Sequence, residues 1–220
     1  MPDDPIKSTK RVLDPVDRVS EVLFGLIMVL TFTGSLSVAE AGRDDVRTML
    51  IGALGCNIAW GIIDGILYLM GCLSERGQAI RALRRLHRAA DAEEGHRAIA
   101  SVLPPLMAET LSSTEYEPMR RKLVQLPPPP AYPTLGRQEW LGALAVFLWV
   151  FVMTLPVALP FLFMDNVHRA MRVSNAIAIA LLFVAGYAFG RVAEYHPWLS
   201  GLAMVLLGAV LVVITIALGG

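Results

Sequence analysis

The chain has 220 residues, of which 55% are hydrophobic, and a mean hydropathy of +0.56. That is too apolar for an ordinary soluble domain, and a formal net charge of zero, with no large basic excess, gives nucleic-acid binding little electrostatic support. The two cysteines, Cys56 and Cys72, lie in one apolar stretch without CxxC spacing and read as small buried hydrophobes, not a redox or metal pair.

Five runs are long enough to cross a ~30 Å hydrocarbon core at about 1.5 Å rise per residue: 22–39, 48–73, 140–164, 173–190 and 197–220. None alternates with period two, which argues against a β-barrel. Ala39-Glu40-Ala41 has the form of a signal-peptide cleavage site, but the n-region is long and acidic and the apolar core overlong, so the first run is expected to be a retained span. The predicted fold class is therefore an all-α integral membrane protein with five transmembrane helices. An N-terminal arm, 1–18, leads into spans 1 and 2 within 19–73; a helical insert, 74–139, separates these from spans 3 to 5 within 140–220.

The first span carries hydroxyls at Thr31, Thr33 and Ser35, with Met28 about one turn earlier and Glu21 at its edge. The second contains Asp64, in Trp60-Gly61-Ile62-Ile63-Asp64-Gly65. A carboxylate at that depth costs roughly 2.5 to 3.5 kcal/mol on insertion scales, which makes it a functional-site candidate. Asn57 is seven residues before it on the same helix face, and Tyr68 extends that face by one turn. Such a stripe of amide, carboxylate and phenol suits an ion or proton path; the alternative is a buried hydrogen bond that only holds helices together. Gly61-x-x-x-Gly65 predicts close approach of another helix.

In the insert, Ile80, Leu83, Leu86 and Ala90 recur at helical spacing with Arg81, Arg84, Arg85 and Arg88 beside them. They predict an amphipathic helix continuing the second span, its arginines available to anionic headgroups. Asp91, Glu93, Glu94 and His96 follow, then apolar 99–103, and Pro104-Pro105 ends that helix. A short helix is expected over 106–111, and a third, capped by Ser112 or Ser113, carries Glu115, Glu117, Met119, Arg120, Arg121 and Lys122. Prolines 127–130 and 133 predict a stiff extended tether. The oxygen and imidazole groups of Glu93, Glu94, His96, Glu109, Glu115 and Glu117 suit divalent first-row metals, although no pair has diagnostic ligand spacing.

Pro156 and Pro160 in the third span free the carbonyls of Val152 and Pro156, for a kink or for a cation. Ser174 and Asn175 are expected to start and cap the fourth helix, where Gly186-x-x-x-Gly190 predicts close packing. Lys and Arg number four in the N-terminal arm, then two, ten, two and one in the successive connections, which places fifteen on one side of a five-span protein and four on the other. The N-terminus and insert are thus expected in the cytoplasm, and the C-terminus outside, in a bacterial inner membrane. No nucleophile–base pair, zinc motif, phosphate loop or dinucleotide fingerprint suggests an enzyme.

This order of two spans, a helical insert and three spans resembles the vacuolar iron transporter family, as a divergent bacterial-type member. Leu155-Pro156-Val157-Ala158-Leu159-Pro160-Phe161 is similar to the proline-rich end of that family's third helix, residues 174–190 to its fourth, 198–219 to its fifth, and 24–36 to its first. The resemblance implies a homodimer exporting Fe²⁺ or Mn²⁺ from the cytosol in exchange for protons, with metal as substrate and no permanently bound cofactor. Met28 stands where the family's first helix has an aspartate. The stretch of the insert comparable to that family's Met-Met-containing helix, Glu117-Pro118-Met119-Arg120-Arg121-Lys122-Leu123, keeps one methionine, Met119. The expected path is then Asp64, Asn57, Tyr68 and Met28, with Glu21 at the cytoplasmic mouth. Metal ligands are expected among Asp64 and the insert's Glu93, Glu94, His96, Glu109, Glu115, Glu117 and Met119. The alternative is a non-transporting scaffold whose basic insert binds lipid or a protein partner.

Overall fold

Backbone N–H and C=O groups find no water in hydrocarbon, so long uncharged runs are confined to helices or closed barrels. The computed structural model describes residues 25–28 and 43–217, and among these the apolar runs are helical and no strand occurs. Residues 25–28 are helical; Glu21, Thr31, Thr33 and Ser35 lie outside the described residues. The further helices are α1 (Arg43–Arg88), α2 (Ala92–Ala100), α3 (Pro105–Thr110), α4 (Ser113–Val124), α5 (Arg137–Phe163), α6 (Val167–Val192) and α7 (Pro197–Ala217). Stretches of α1, α5 and α6 are long and apolar enough to cross a membrane. α7 is apolar and uncharged. The described residues divide into two units, 68–140 and the combination of 25–28, 43–67 and 141–217.

In the second, apolar unit, Leu26 packs with Val157, Ala178 and Leu182. A separate cluster joins Val46 and Met49 of α1 to Phe161 of α5 and Ala170 of α6. Glycines set the closest approaches. A Cβ at Gly61 would sit 2.8 Å from the Phe147 ring, and one at Gly65 3.2 Å from the Ala143 carbonyl oxygen, so α1 and α5 meet along the Gly61-x-x-x-Gly65 face. Likewise a Cβ at Gly186 would lie 2.6 Å from Ser200 O, and one at Gly190 2.7 Å from Pro197 Cα, which fixes the α6–α7 contact. Phe183 and Tyr187 of α6 flank Trp198 of α7 at centroid distances of 5.6 and 5.5 Å. The turn between them closes with Tyr195 N–H donating to Gly190 O (2.9 Å), and Glu194 takes the left-handed conformation (φ 52°) usual at that helix-end position.

Two expectations about α6 are corrected. It starts at Val167, with Asn166 as N-cap accepting from Arg169 N–H (3.1 Å), so Ser174 and Asn175 do not cap it. Ser174 is instead fully buried and donates to Val157 O (2.7 Å), a partner supplied by α5 that no spacing rule foresees. α5 runs without interruption through Pro156 and Pro160.

In the unit 68–140, Leu83 and Leu86 of α1 pack with Ala98 and Ile99 of α2 and Tyr116 of α4. α1 stops at Arg88, so Ala90 falls in the break before α2 and is exposed, not part of the amphipathic core. Asp91 caps α2 by accepting from Glu94 N–H (2.7 Å), while Glu94 accepts from Ala90 N–H (2.9 Å). Glu115 closes the start of α4, accepting from both the backbone N–H (2.8 Å) and the hydroxyl (2.7 Å) of Ser112. The proline-rich segment after α4 is no free spacer. Arg84 donates to the carbonyls of Pro130 and Ala131 (2.6 Å each), and Arg76 to that of Thr134.

Candidate functional site

The polar groups of the apolar unit meet where α1 crosses α5. Thr154 follows the helical habit of bonding its hydroxyl back one turn, donating to Phe151 O (2.9 Å). Its oxygen then accepts from Asn57 Nδ2, which also reaches Phe151 O at 3.3 Å. The first span touches the same point: a Cβ at Gly25 would lie 2.7 Å from Thr154 Cγ2. Asn57 is 3% exposed, and its Oδ1 is buried without a hydrogen-bond partner among the described residues. Such an acceptor costs roughly 1–3 kcal/mol if left unpaired. Beside it lies a cleft of about 160 Å³, lined by Asn57, Thr154 and apolar side chains of α1 and α5.

Asp64 is half-buried two turns further along α1, and no hydrogen bond or ion pair joins it to another described residue. Met28 is half-buried against the Leu26–Val157–Ala178–Leu182 cluster. Tyr68 is half-buried within the other unit.

The insert residues separate by role. His96 Nε2 lies 3.3 Å from Glu117 Oε2, and the His96 ring stacks on Tyr116 at 5.6 Å. Glu117 also accepts from Arg120 Nε and Nη2 (2.8 and 2.9 Å) and from Arg121 Nε (2.9 Å). The hydrogen bonds from Arg120 and Arg121 hold its carboxyl well below the usual carboxylate range, and burial opposes them only in part. Glu115 is lowered by its two bonds from Ser112. Arg120 is raised in turn by Glu117. Glu93, Glu109 and Met119 are exposed. Only His96 and Glu117 among the insert's candidate ligands are brought together, and the described residues hold no group of three or more His, Cys, Asp and Glu able to bind a metal.

Sequence reasoning missed Thr154 and a buried ion pair between Arg76 and Glu139, whose side chains are 9% and 8% exposed. Glu139 also accepts from Gly136 N–H at 2.7 Å, in the first turn of α5. A signal existed for the pair: a cation just after one apolar run and an anion just before the next. Thr154 offered less, as a lone hydroxyl in a run where packing alone explains threonine.

The model of the VIT family matches residues 79–220. No curated protein matches the chain. The matched stretch holds most of the insert with α5, α6 and α7, over half of the chain, and its apolar helices are those expected of a bilayer protein. The chain therefore belongs to the VIT family of membrane metal transporters.

Proposed function

We propose that the chain exports a divalent cation, Fe²⁺ or Mn²⁺, from the cytosol in exchange for protons, as a homodimer with Asp64 the central carboxylate of the path. The observation that carries this is Asp64 itself: a half-buried acid on an apolar helix with no described partner to neutralise it. A mobile cation or proton offsets the cost of holding that charge at lipid depth. Asn57, Tyr68 and Met28 line the path in this reading, with Glu21 at its cytoplasmic mouth. Five spans follow if 22–39 crosses as its composition suggests and α7 crosses too, its 21 residues extending about 31 Å. The Lys and Arg distribution then puts the N-terminus and the insert in the cytoplasm of a bacterial inner membrane and the C-terminus outside.

Within the insert, Glu94 and Glu115 serve helix starts and Glu117 serves two arginines. Glu93, Glu94, His96, Glu109, Glu115, Glu117 and Met119 are accordingly proposed to collect cations weakly, as separate oxygen, imidazole and thioether donors, not as a chelate within one chain. Arginines 76 and 84 hold the proline segment, which leaves fewer for the alternative of a lipid-binding scaffold.

The test is uptake of Mn²⁺ and Fe²⁺ into proteoliposomes across an imposed pH gradient, with Asp64→Asn beside the wild type. Loss of at least tenfold in flux, with helix content and elution volume unchanged, is expected. Wild-type flux in Asp64→Asn removes that residue from the mechanism, and flux indifferent to the gradient removes proton exchange.

A further inference from the structure

The cleft beside Asn57 does not end among the apolar side chains. Its lining shares Leu50, Phe161 and Leu162 with a second cavity of about 390 Å³ at the α5–α6 turn, where Arg47 and Asp165 supply charge. The two cavities thus share a wall along the seam between α1 and α5, from a charged mouth to the side chain of buried Asn57. From Arg47 to Asn57 the seam covers ten residues of α1, about 15 Å, or roughly half of a ~30 Å hydrocarbon core. At its inner end Asn57 Oδ1 has no donor among the described residues.

We propose that this seam is a water-filled half-channel, bringing the aqueous phase on the α5–α6-turn side to Asn57 and Thr154 near mid-membrane. Three features identify water as the occupant. Asn57 Oδ1 needs a hydrogen-bond donor, which an acyl chain does not have. The inner cleft far exceeds the ~10–15 Å³ of probe space that one water needs. Thr154 Oγ1 and Phe151 O stand beside the amide, so a water there finds more than one polar neighbour. The mouth is polar enough to stay hydrated. The route lies within one chain, between α1 and α5, and requires no particular transported ion.

Thiol accessibility tests it, because a thiolate attacks a charged methanethiosulfonate, forming a mixed disulfide and releasing methanesulfinate, and thiolates form in water and not in lipid. In full-length protein carrying Cys56→Ala and Cys72→Ala, reconstituted in vesicles, single cysteines are placed at Leu54 and Ala158 in the inner cleft. Others go to Leu162, shared with the mouth, and to Val184 on the exposed face of α6. The expected result is modification of Leu54→Cys and Ala158→Cys at least tenfold faster than of Val184→Cys, with Leu162→Cys fastest. Adding Asn57→Leu to the Ala158→Cys protein is expected to slow its modification at least fivefold and to spare Leu162→Cys. Inner-cleft cysteines no faster than Val184→Cys mean a dry or lipid-filled seam and overturn the proposal. So does an Asn57→Leu protein that keeps its helix content but leaves the Ala158→Cys rate unchanged. No flux is read, so failure of the half-channel is distinguishable from failure of metal transport.

Discussion

Removing one partner of the Arg76–Glu139 pair is the sharpest test of how the unit 68–140 is held. Both side chains are about nine-tenths buried, and each has a second partner: Arg76 donates to Thr134 O and Glu139 accepts from Gly136 N–H. Arg76→Met leaves a buried carboxylate without its counter-charge, for which ~3–5 kcal/mol is the usual cost. Replacing both charges removes that penalty, and Glu139→Gln keeps an oxygen for Gly136 N–H. The double variant Arg76→Met/Glu139→Gln is therefore expected to recover most of the loss, to within about 1 kcal/mol of the wild type. The assay is amide hydrogen exchange of peptides covering 126–140 in detergent-solubilised protein. Exchange in Arg76→Met should rise by on the order of 10²-fold or more, and the double variant should return close to the wild-type rate. A tenfold or smaller rise in Arg76→Met, or a double variant as fast as the worse single one, would refute the pair as a buried lock.

Other expectations follow from single sites. Gly186→Ala places a methyl 2.6 Å from Ser200 O and 2.9 Å from Gly201 Cα, both backbone, so α6 and α7 must separate; a loss of about 1–3 kcal/mol is expected in detergent melts. Gly55→Ala meets nothing within 4 Å and is the control, expected neutral or stabilising. Glu117 has a folded pKa below its ordinary 4.5, so its contribution is complete above about pH 4.5 and is lost as pH falls through the folded value. Melting of the wild type from pH 7 to 3 should then show an acid loss that Glu117→Gln lessens, and identical slopes would remove Glu117 from the α2–α4 contact. Mn²⁺ or Fe²⁺ at about 100 times its dissociation constant should add about 2.7 kcal/mol to the folded state. No thermal shift at millimolar metal would count against cation binding.

Much of this chain is legible from one dimension because its strongest physical constraint is itself one-dimensional. Apolar runs of about twenty residues or more must satisfy their own backbone, so the helices around 48–73, 140–164 and 197–217 follow from composition alone. The capping pair of Ser112 with Glu115 acts over three residues and marks α4, whereas the Asp91–Glu94 pair that starts α2 lies within a stretch expected to run helical to Pro104. Gly61-x-x-x-Gly65 and Gly186-x-x-x-Gly190 announce close approaches for the same local reason, though not which helix arrives. Val167 rather than 173 begins α6, because Asn166 supplies the cap and Arg169 and Arg172 ride on the first turns, ahead of the apolar run.

Partners separated by scores of residues belong to another class of fact. Nothing local to Asn57 says that Thr154 and Phe151 O receive its amide, nor that its oxygen is buried without a donor among the described residues. Arg76 meeting Glu139, and Ser174 meeting Val157 O, are likewise products of helix packing. Burial and pairing are properties of the assembled helices, since desolvation depends on every neighbour at once. The apolar segments and their order were therefore readable from residue chemistry, while which polar atoms lost water, and what met them there, came only with three-dimensional packing.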